Sequence, residues 1–315
     1  MSAVRQLSNG SLPPQPPGLA WSRLLQLGVL DLAVDLRYRW HDPKLRKRPT
    51  ARALDPRLHR PIFIIGAPRS GTTFLGSCIG GMPDVSYHFE PRLTKAAAGC
   101  VYDGSWSRRR SAAVFRLSYS ALLLAALHGG RRFADKTPEN SFLVRFLAAE
   151  FPDAQFVHII RDGRDAAVSH AEKPWLTAAA ADVRRRGPAW QVRGPFPRWW
   201  VEKDRREEFA RVPDIVRTAW CWRRFTEAAL AGLATLPAGR GLELRYETMV
   251  SQPADTATAL GEFLRAPAEG QEALRAGMAR ANPGSVGRWR RVLDARQAAE
   301  VEREIGPLLA RLGYA

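Results

Sequence analysis

The order of apolar runs and turn signals predicts a three-layer α/β fold, with a central parallel sheet flanked by helices. Two short runs, Pro61-Ile-Phe-Ile-Ile65 and Gln155–Ile160, are apolar throughout, as strands buried on both faces must be. Each is followed by a turn and then a helical pattern, and repeated strand–helix alternation builds parallel sheets. The first turn, Gly66-Ala-Pro-Arg-Ser-Gly-Thr-Thr73, is glycine-containing and lies between a strand and a helix. That context makes the expected fold a P-loop-containing one.

Residues 1–18 form a Pro-rich polar tail, expected to be flexible and lacking the apolar core of a secretory signal. Leu19–Trp40 is apolar but carries Arg23, Asp31, Asp35, Arg37 and Arg39, a charge density too costly for a membrane span. It reads as an amphipathic helix. With the basic, Pro-punctuated stretch Asp42–Arg60 it forms a region 19–60 that offers a peripheral membrane contact. The main domain is expected over 61–315. After the glycine loop come a helix from about Thr72 to Gly80, a weak strand Val85–Tyr87 ending near Glu90, a helix Ala112–Leu127 and a short strand Arg132–Asp135. Thr137 as N-cap and Pro138 in the first turn start a helix that runs to Glu150. The strand Gln155–Ile160 leads through Arg161-Asp-Gly-Arg164 into another helix. An irregular insertion, 174–213, is rich in Arg, Trp and Pro; with Trp175, Trp190, Trp199, Trp200, Arg184–Arg186 and Arg193 it is expected to act as an acceptor-binding flap. A helix Asp214–Leu236, a strand Leu242–Tyr246 and helices Ala254–Leu264, Glu269–Ala281 and Gln297–Leu312 complete the chain.

The charge is unusual: 48 basic against 31 acidic side chains leave +17 over 315 residues, which implies an anionic partner. Cys78, Cys100 and Cys221 are too few and scattered for a disulfide framework or zinc site. They suit a reducing, cytoplasmic setting. The six histidines show no metal-ligand spacing, and no metal is expected.

The glycine loop presents backbone N–H groups and a helix N-terminus to an anion. Gly66, Gly71 and Thr73 fit the nucleotide-binding pattern G-x-x-x-x-G-K-[ST], but Thr72 occupies the lysine position. That lysine bonds the β- and γ-phosphates of a nucleoside triphosphate, so its absence counts against a P-loop kinase or NTPase. The cation stands three places earlier, at Arg69. Arg161, ending an apolar strand, sits where ligands of open α/β sheets bind.

Here the chain resembles a known family. Pro68-Arg-Ser-Gly-Thr-Thr-Phe-Leu75 is similar to the 5′-phosphosulfate loop of sulfotransferases dependent on 3′-phosphoadenosine 5′-phosphosulfate (PAPS). The likeness is strongest to the branch containing tyrosylprotein sulfotransferases and many bacterial enzymes. Val157-His-Ile-Ile-Arg-Asp-Gly-Arg164 through Ser169 resembles the family's 3′-phosphate segment, where Arg161 and Ser169 would hold that phosphate. Leu244-Arg-Tyr-Glu-Thr-Met-Val250 resembles a strand end whose tyrosine, here Tyr246, lies near the nucleotide. Ser285-Val-Gly-Arg-Trp-Arg290 resembles the loop that closes over the cofactor, bringing Ser285, Gly287, Arg288 and Trp289 into the set. The resemblance spans roughly 61–312 and implies PAPS as donor, PAP as product and a small-molecule or glycan hydroxyl as acceptor.

Sulfuryl transfer needs a base for the acceptor proton and positive donors for the sulfuryl oxygens and leaving phosphate. By position Glu90 resembles the branch's catalytic glutamate, Arg92 a substrate-contacting arginine and Lys136 the lysine at the transferring group. In an extended segment His88 points the same way as Glu90, so it is the competing base or an acceptor contact. Arg69, Ser70, Gly71, Thr72 and Thr73 would hold the donor. Beside this stand two rivals: the kinase or NTPase disfavoured by Thr72, and a basic protein that binds nucleic acid or membrane. The donor-site motifs favour the enzyme, with no nucleic-acid partner.

Overall fold

A computed structural model describes residues 20–178 and 197–314. They cluster into two compact units, one of 20–161 with 225–284, the other of 162–178, 197–224 and 285–314.

The first unit holds the sheet. Its strands are β1 (Ile62–Ile65), β2 (Val85–Phe89), β3 (Arg132–Lys136), β4 (Gln155–Ile160) and β5 (Gly241–Arg245). They lie in the order β2-β3-β1-β4-β5, with every adjacent pair parallel. Helices α1 (Trp21–His41), α2 (Thr72–Gly80), α3 (Arg92–Tyr102), α4 (Arg108–Ala125) and α5 (Val144–Glu150) precede β4 in the chain. The all-apolar β1 is buried on both sides because alternate residues enter different cores. Ile62 and Ile64 join Leu75, Ile79 and Val157 in one. Phe63 meets Tyr119, Phe151 and Phe156 in an aromatic cluster on the other. Beyond β5, α9 (Tyr246–Ser251), α10 (Pro253–Leu264) and α11 (Ala268–Met278) supply Met249, Leu260 and Leu274 to the first core.

The second unit contains α6 (Gly163–Ala171), α7 (Arg206–Arg211), α12 (Trp289–Val292) and α13 (Ala295–Arg311). The helix α8 (Asp214–Leu233) runs across the boundary at residue 224. Gly163 is needed where α6 meets Trp222, since a Cβ there would lie 2.6 Å from the indole. No helix among the described residues is long and apolar enough to cross a membrane.

Three sequence expectations need correcting. The helix expected from Thr137 to Glu150 is a 3-10 turn, Pro138–Phe142, followed by α5, with Leu143 leaving helical angles between them (φ −110°, ψ 9°). Thr137 does not cap it; its hydroxyl donates to Asp135 instead, at 2.7 Å. Tyr246 does not end β5 but opens α9. The insertion 174–213 is not irregular throughout, since Arg206–Arg211 is helical and Trp200 and Phe209 are buried edge to face, 5.7 Å apart. Trp190, Arg184–Arg186 and Arg193 lie outside the described residues.

Candidate active site

In a parallel sheet all strands point their carboxyl ends the same way, so whatever follows them shares one edge. Here that edge collects the glycine loop after β1, Glu90 after β2, Lys136 at the end of β3, Arg161 after β4 and Tyr246 after β5. The chain leaves β1 toward β2 on one side and leaves β4 toward β5 on the other, so the two central strands flank the point where the order reverses. Arg161 spans this point within the unit: its Nη1 donates to the Arg69 carbonyl at 3.0 Å. Its guanidinium carbon lies 4.7 Å from the centre of the Tyr246 ring.

The loop has the backbone of an anion cradle. Gly66, Arg69 and Gly71 all have positive φ (144°, 70° and 95°), and Gly71 caps α2 with no side chain over the helix end. Glycine is required at both ends. A Cβ on Gly66 would sit 2.5 Å from the Ile159 carbonyl oxygen, and one on Gly71 2.6 Å from the Tyr246 ring. Gly66 N–H donates to Ser141 Oγ at 3.1 Å, fixing the loop to the turn after β3. Inside it the buried Ser70 hydroxyl has no protein partner. Buried hydroxyls are rarely left so, and an anion in the cradle would satisfy it. A phosphate or sulfate group therefore fits the residues present.

Glu90 stands out of β2 with φ 46°, and its N–H donates to the Lys136 carbonyl at 3.0 Å. Its carboxylate bridges two ammonium groups, Lys136 and Lys95, each 2.5 Å away. Lys95 also reaches Glu139 at 3.5 Å. Burial alone would push the Glu90 carboxyl up, but the two ammonium charges outweigh it and hold it at about 2. Burial pulls the Lys136 ammonium below its ordinary value, against the attraction of Glu90. Lys136 also lies 4.0 Å over the Phe89 ring. The neighbouring Asp135, fully buried, accepts from Tyr119 (2.7 Å), Asn140 (2.8 Å) and Thr137.

Arg92 is the first residue of α3, and its N–H and that of Leu93 donate to Asp31 of α1 at 2.5 and 2.8 Å. Asp31 thereby caps α3 from another helix. Its own carboxyl is raised by burial to about 6, against the pull of those two N–H groups.

His88 does not share the direction of Glu90, because the positive φ at Glu90 breaks the strand's alternation. The imidazole is 0% exposed, stacked on Phe133 at 4.4 Å and paired with Asp35 at 3.0 Å. Burial lowers its pKa, against the pull of Asp35. It is a packed core histidine.

Ser169, Ser285, Gly287, Arg288 and Trp289 belong to the second unit. There Asp165, on the helix that carries Ser169, accepts from the N–H groups of Gly287 (2.7 Å) and Trp289 (2.9 Å), pinning the 285–290 segment to α6. Arg288 pairs with Glu172, and Arg164 lies 4.3 Å over the Trp289 ring.

Lys95 and Asp31 were not singled out by the sequence. A signal for Lys95 exists: the chain has six lysines against an arginine background, and two of them meet at Glu90. Asp31 carries no local signal, since its partners are 61 and 62 residues away.

Residues 61–270 match the sulfotransferase family, and the chain belongs to it. A sulfotransferase of Mycobacterium avium, STF9, is 15% identical with a TM-score of 0.52, over 98% of this chain and 89% of that one, a likeness of fold. The nodulation protein NoeE of Sinorhizobium fredii is 30% identical over 32% of this chain and 28% of its own length. An uncharacterized protein of Aquifex aeolicus is 25% identical over 44% of this chain and 22% of its own. The chain thus spans under a third of the length of either relative.

Proposed function

We propose that the protein transfers a sulfuryl group from PAPS to the hydroxyl of an acceptor (a sugar, natural product, lipid or phenol) and releases PAP. The observation that carries this reading is the placement of an anion cradle and a Glu90–Lys136 ion pair along one sheet edge. In it the loop N–H groups with Ser70, Gly71, Thr72 and Thr73 hold the 5′-phosphosulfate, and Arg69 supplies the positive charge that the leaving phosphate needs. Lys136 turns from Glu90 to the sulfuryl oxygens. That movement frees Glu90 to take the acceptor's proton. The acceptor oxygen bonds to sulfur as the bond from sulfur to the 5′-phosphate oxygen breaks, and that electron pair leaves with PAP. Arg161, set against Tyr246, takes the 3′-phosphate, and Arg92 meets the acceptor. Ser169, Ser285, Gly287, Arg288 and Trp289 are assigned to the nucleotide on their motifs alone.

Sulfur-labelled PAPS offered with sugars, phenols, lipids and tyrosine peptides tests the reading, alongside calorimetric titration with PAP and with MgATP. Label transfer to an acceptor, with PAP bound and MgATP not, is expected. Binding of MgATP in preference to PAP would sink it.

A further inference from the structure

Helix α1 turns its acids inward. Asp31 is 3% exposed, and Asp35 pairs with Arg39 at 2.7 Å and with His88. Arg39, also buried, donates to the Tyr87 carbonyl at 2.6 Å, so the charged face of α1 is stitched to β2. The stripe beside it is left apolar. Trp21 (64% exposed), Leu25 (72%), Val29, Leu36 and Trp40 (70%) stand in the open. Their spacings of four, four, seven and four place them within about 100° of one another on the helix, along roughly 30 Å of its length.

The exposed face of α1 carries no acid. Arg37 and His41 lie on it, and the chain that follows exposes Lys44, Arg46, Arg48, Arg52 and Arg57. An arginine lies over each end of the stripe: Arg110 is 4.7 Å from the Trp21 ring, and Arg46 is 5.3 Å from that of Trp40.

An exposed apolar face of this length calls for an occupant, and charge selects among the candidates. A second copy would bring its own cations against these, in a chain already at +17. An anionic lipid surface offers what the stripe lacks: an apolar layer for the leucines and valine, an interfacial zone that favours tryptophan, and phosphates for the arginines. α1 is not apolar enough to span a bilayer, so it would lie in the plane of the surface. We propose that α1 is a docking helix that seats the enzyme on anionic membranes. Through Asp31 and its bonds to Arg92 and Leu93, the docked helix is fixed to the segment that carries Glu90.

The proposal does not depend on sulfuryl transfer and is tested without it. The full chain is sedimented with sucrose-loaded vesicles of phosphatidylcholine, with and without phosphatidylglycerol. The wild type should bind the anionic vesicles at least about tenfold more tightly than the neutral ones. Leu25→Ser/Val29→Ser and, separately, Trp40→Ser should each weaken that binding, the double variant by about tenfold or more. Both changes are at exposed positions, and unchanged circular dichroism with an unchanged melting temperature confirms the fold. Three outcomes overturn the proposal: no binding by the wild type, equal binding by the double variant, or a wild-type dimer in sedimentation velocity that the double variant abolishes while vesicles bind neither.

Discussion

At Glu90 the arrangement poses a chemical problem that the proposed mechanism must answer. A carboxyl held at about 2 by two ammonium groups is ionised at neutral pH but too weak a base to draw a proton from an alcohol. Lys95 stays beside it, but the departure of Lys136 toward the donor relieves part of that hold, so the lysine's movement and the strengthening of the base are one event. Glu90→Gln keeps the shape and the hydrogen bonds while deleting the proton acceptor. PAP affinity should stay within about twofold and kcat should fall by roughly 10²–10⁴, read in steady-state assays beside calorimetry. A comparable loss in PAP affinity would mean that Glu90 serves the donor site rather than the proton. Asp31 yields a prediction about stability. Its folded pKa, about 6, lies above the ordinary value of 3.8, so ionising it costs folding free energy; that cost is absent below about 3.8 and complete above about 6. Asp31→Asn resembles the protonated side chain at every pH. The variant's margin over the wild type should therefore be smallest near pH 3.8 and grow to a few degrees at pH 7.5. A difference in melting temperature that does not change with pH would contradict the burial argument.

At the scale of elements, what was legible depended on how local the cause is. β1 and β4 were plain because a strand buried on both faces must be apolar along its whole length. The glycine loop was legible because its spacing encodes positive φ at fixed positions. By contrast, the helix misread after Thr137 traces to Asp135, which sequence patterning cannot reveal as a buried acceptor. Asp135 claims the hydroxyl of Thr137, the group that would otherwise cap a helix, and the side-chain amide of Asn140. Tyr246 was misplaced because aromatic residues suit strands, whereas its ring is used against Gly71 and Arg161 at the head of α9. Asp31 acts across contacts of 61 and 62 residues and carries no local signal for that reason, whereas Lys95, five residues from Glu90, is marked by the scarcity of lysine. The loop itself permits a controlled test. Gly66 and Gly239 both have positive φ, but a Cβ on Gly239 meets nothing within 4 Å, while one on Gly66 strikes the Ile159 carbonyl. Gly239→Ala should cost about 1 kcal/mol from strain alone. Gly66→Ala should cost about 1–3 kcal/mol more in urea unfolding, because the backbone of β4 must shift to admit it. Equal costs would show that the close approach of loop and strand is not as the structure has it.

For the whole molecule the question is what so much positive charge is for. Some of it is structural: Arg39 and Arg217 are buried and bonded inside the protein. The remainder would still draw any polyanion at low salt, and binding of duplex DNA under those conditions would say little about function. Salt separates the two kinds of partner. DNA carries a condensed counterion layer, and a protein contacting six to ten phosphates loses about 10³–10⁵ in affinity between roughly 50 and 200 mM salt. PAP has no such layer, and its few charges would meet preorganised groups at the sheet edge, where screening is weaker than at an open surface. Titrations at those two salt concentrations should leave PAP affinity within about tenfold, while filter retention of DNA falls away. Were PAP binding to collapse as steeply as DNA binding, the nucleotide would be held by the general field of the surface. The cradle formed by Gly66–Thr73 and Arg161 would then not be its site.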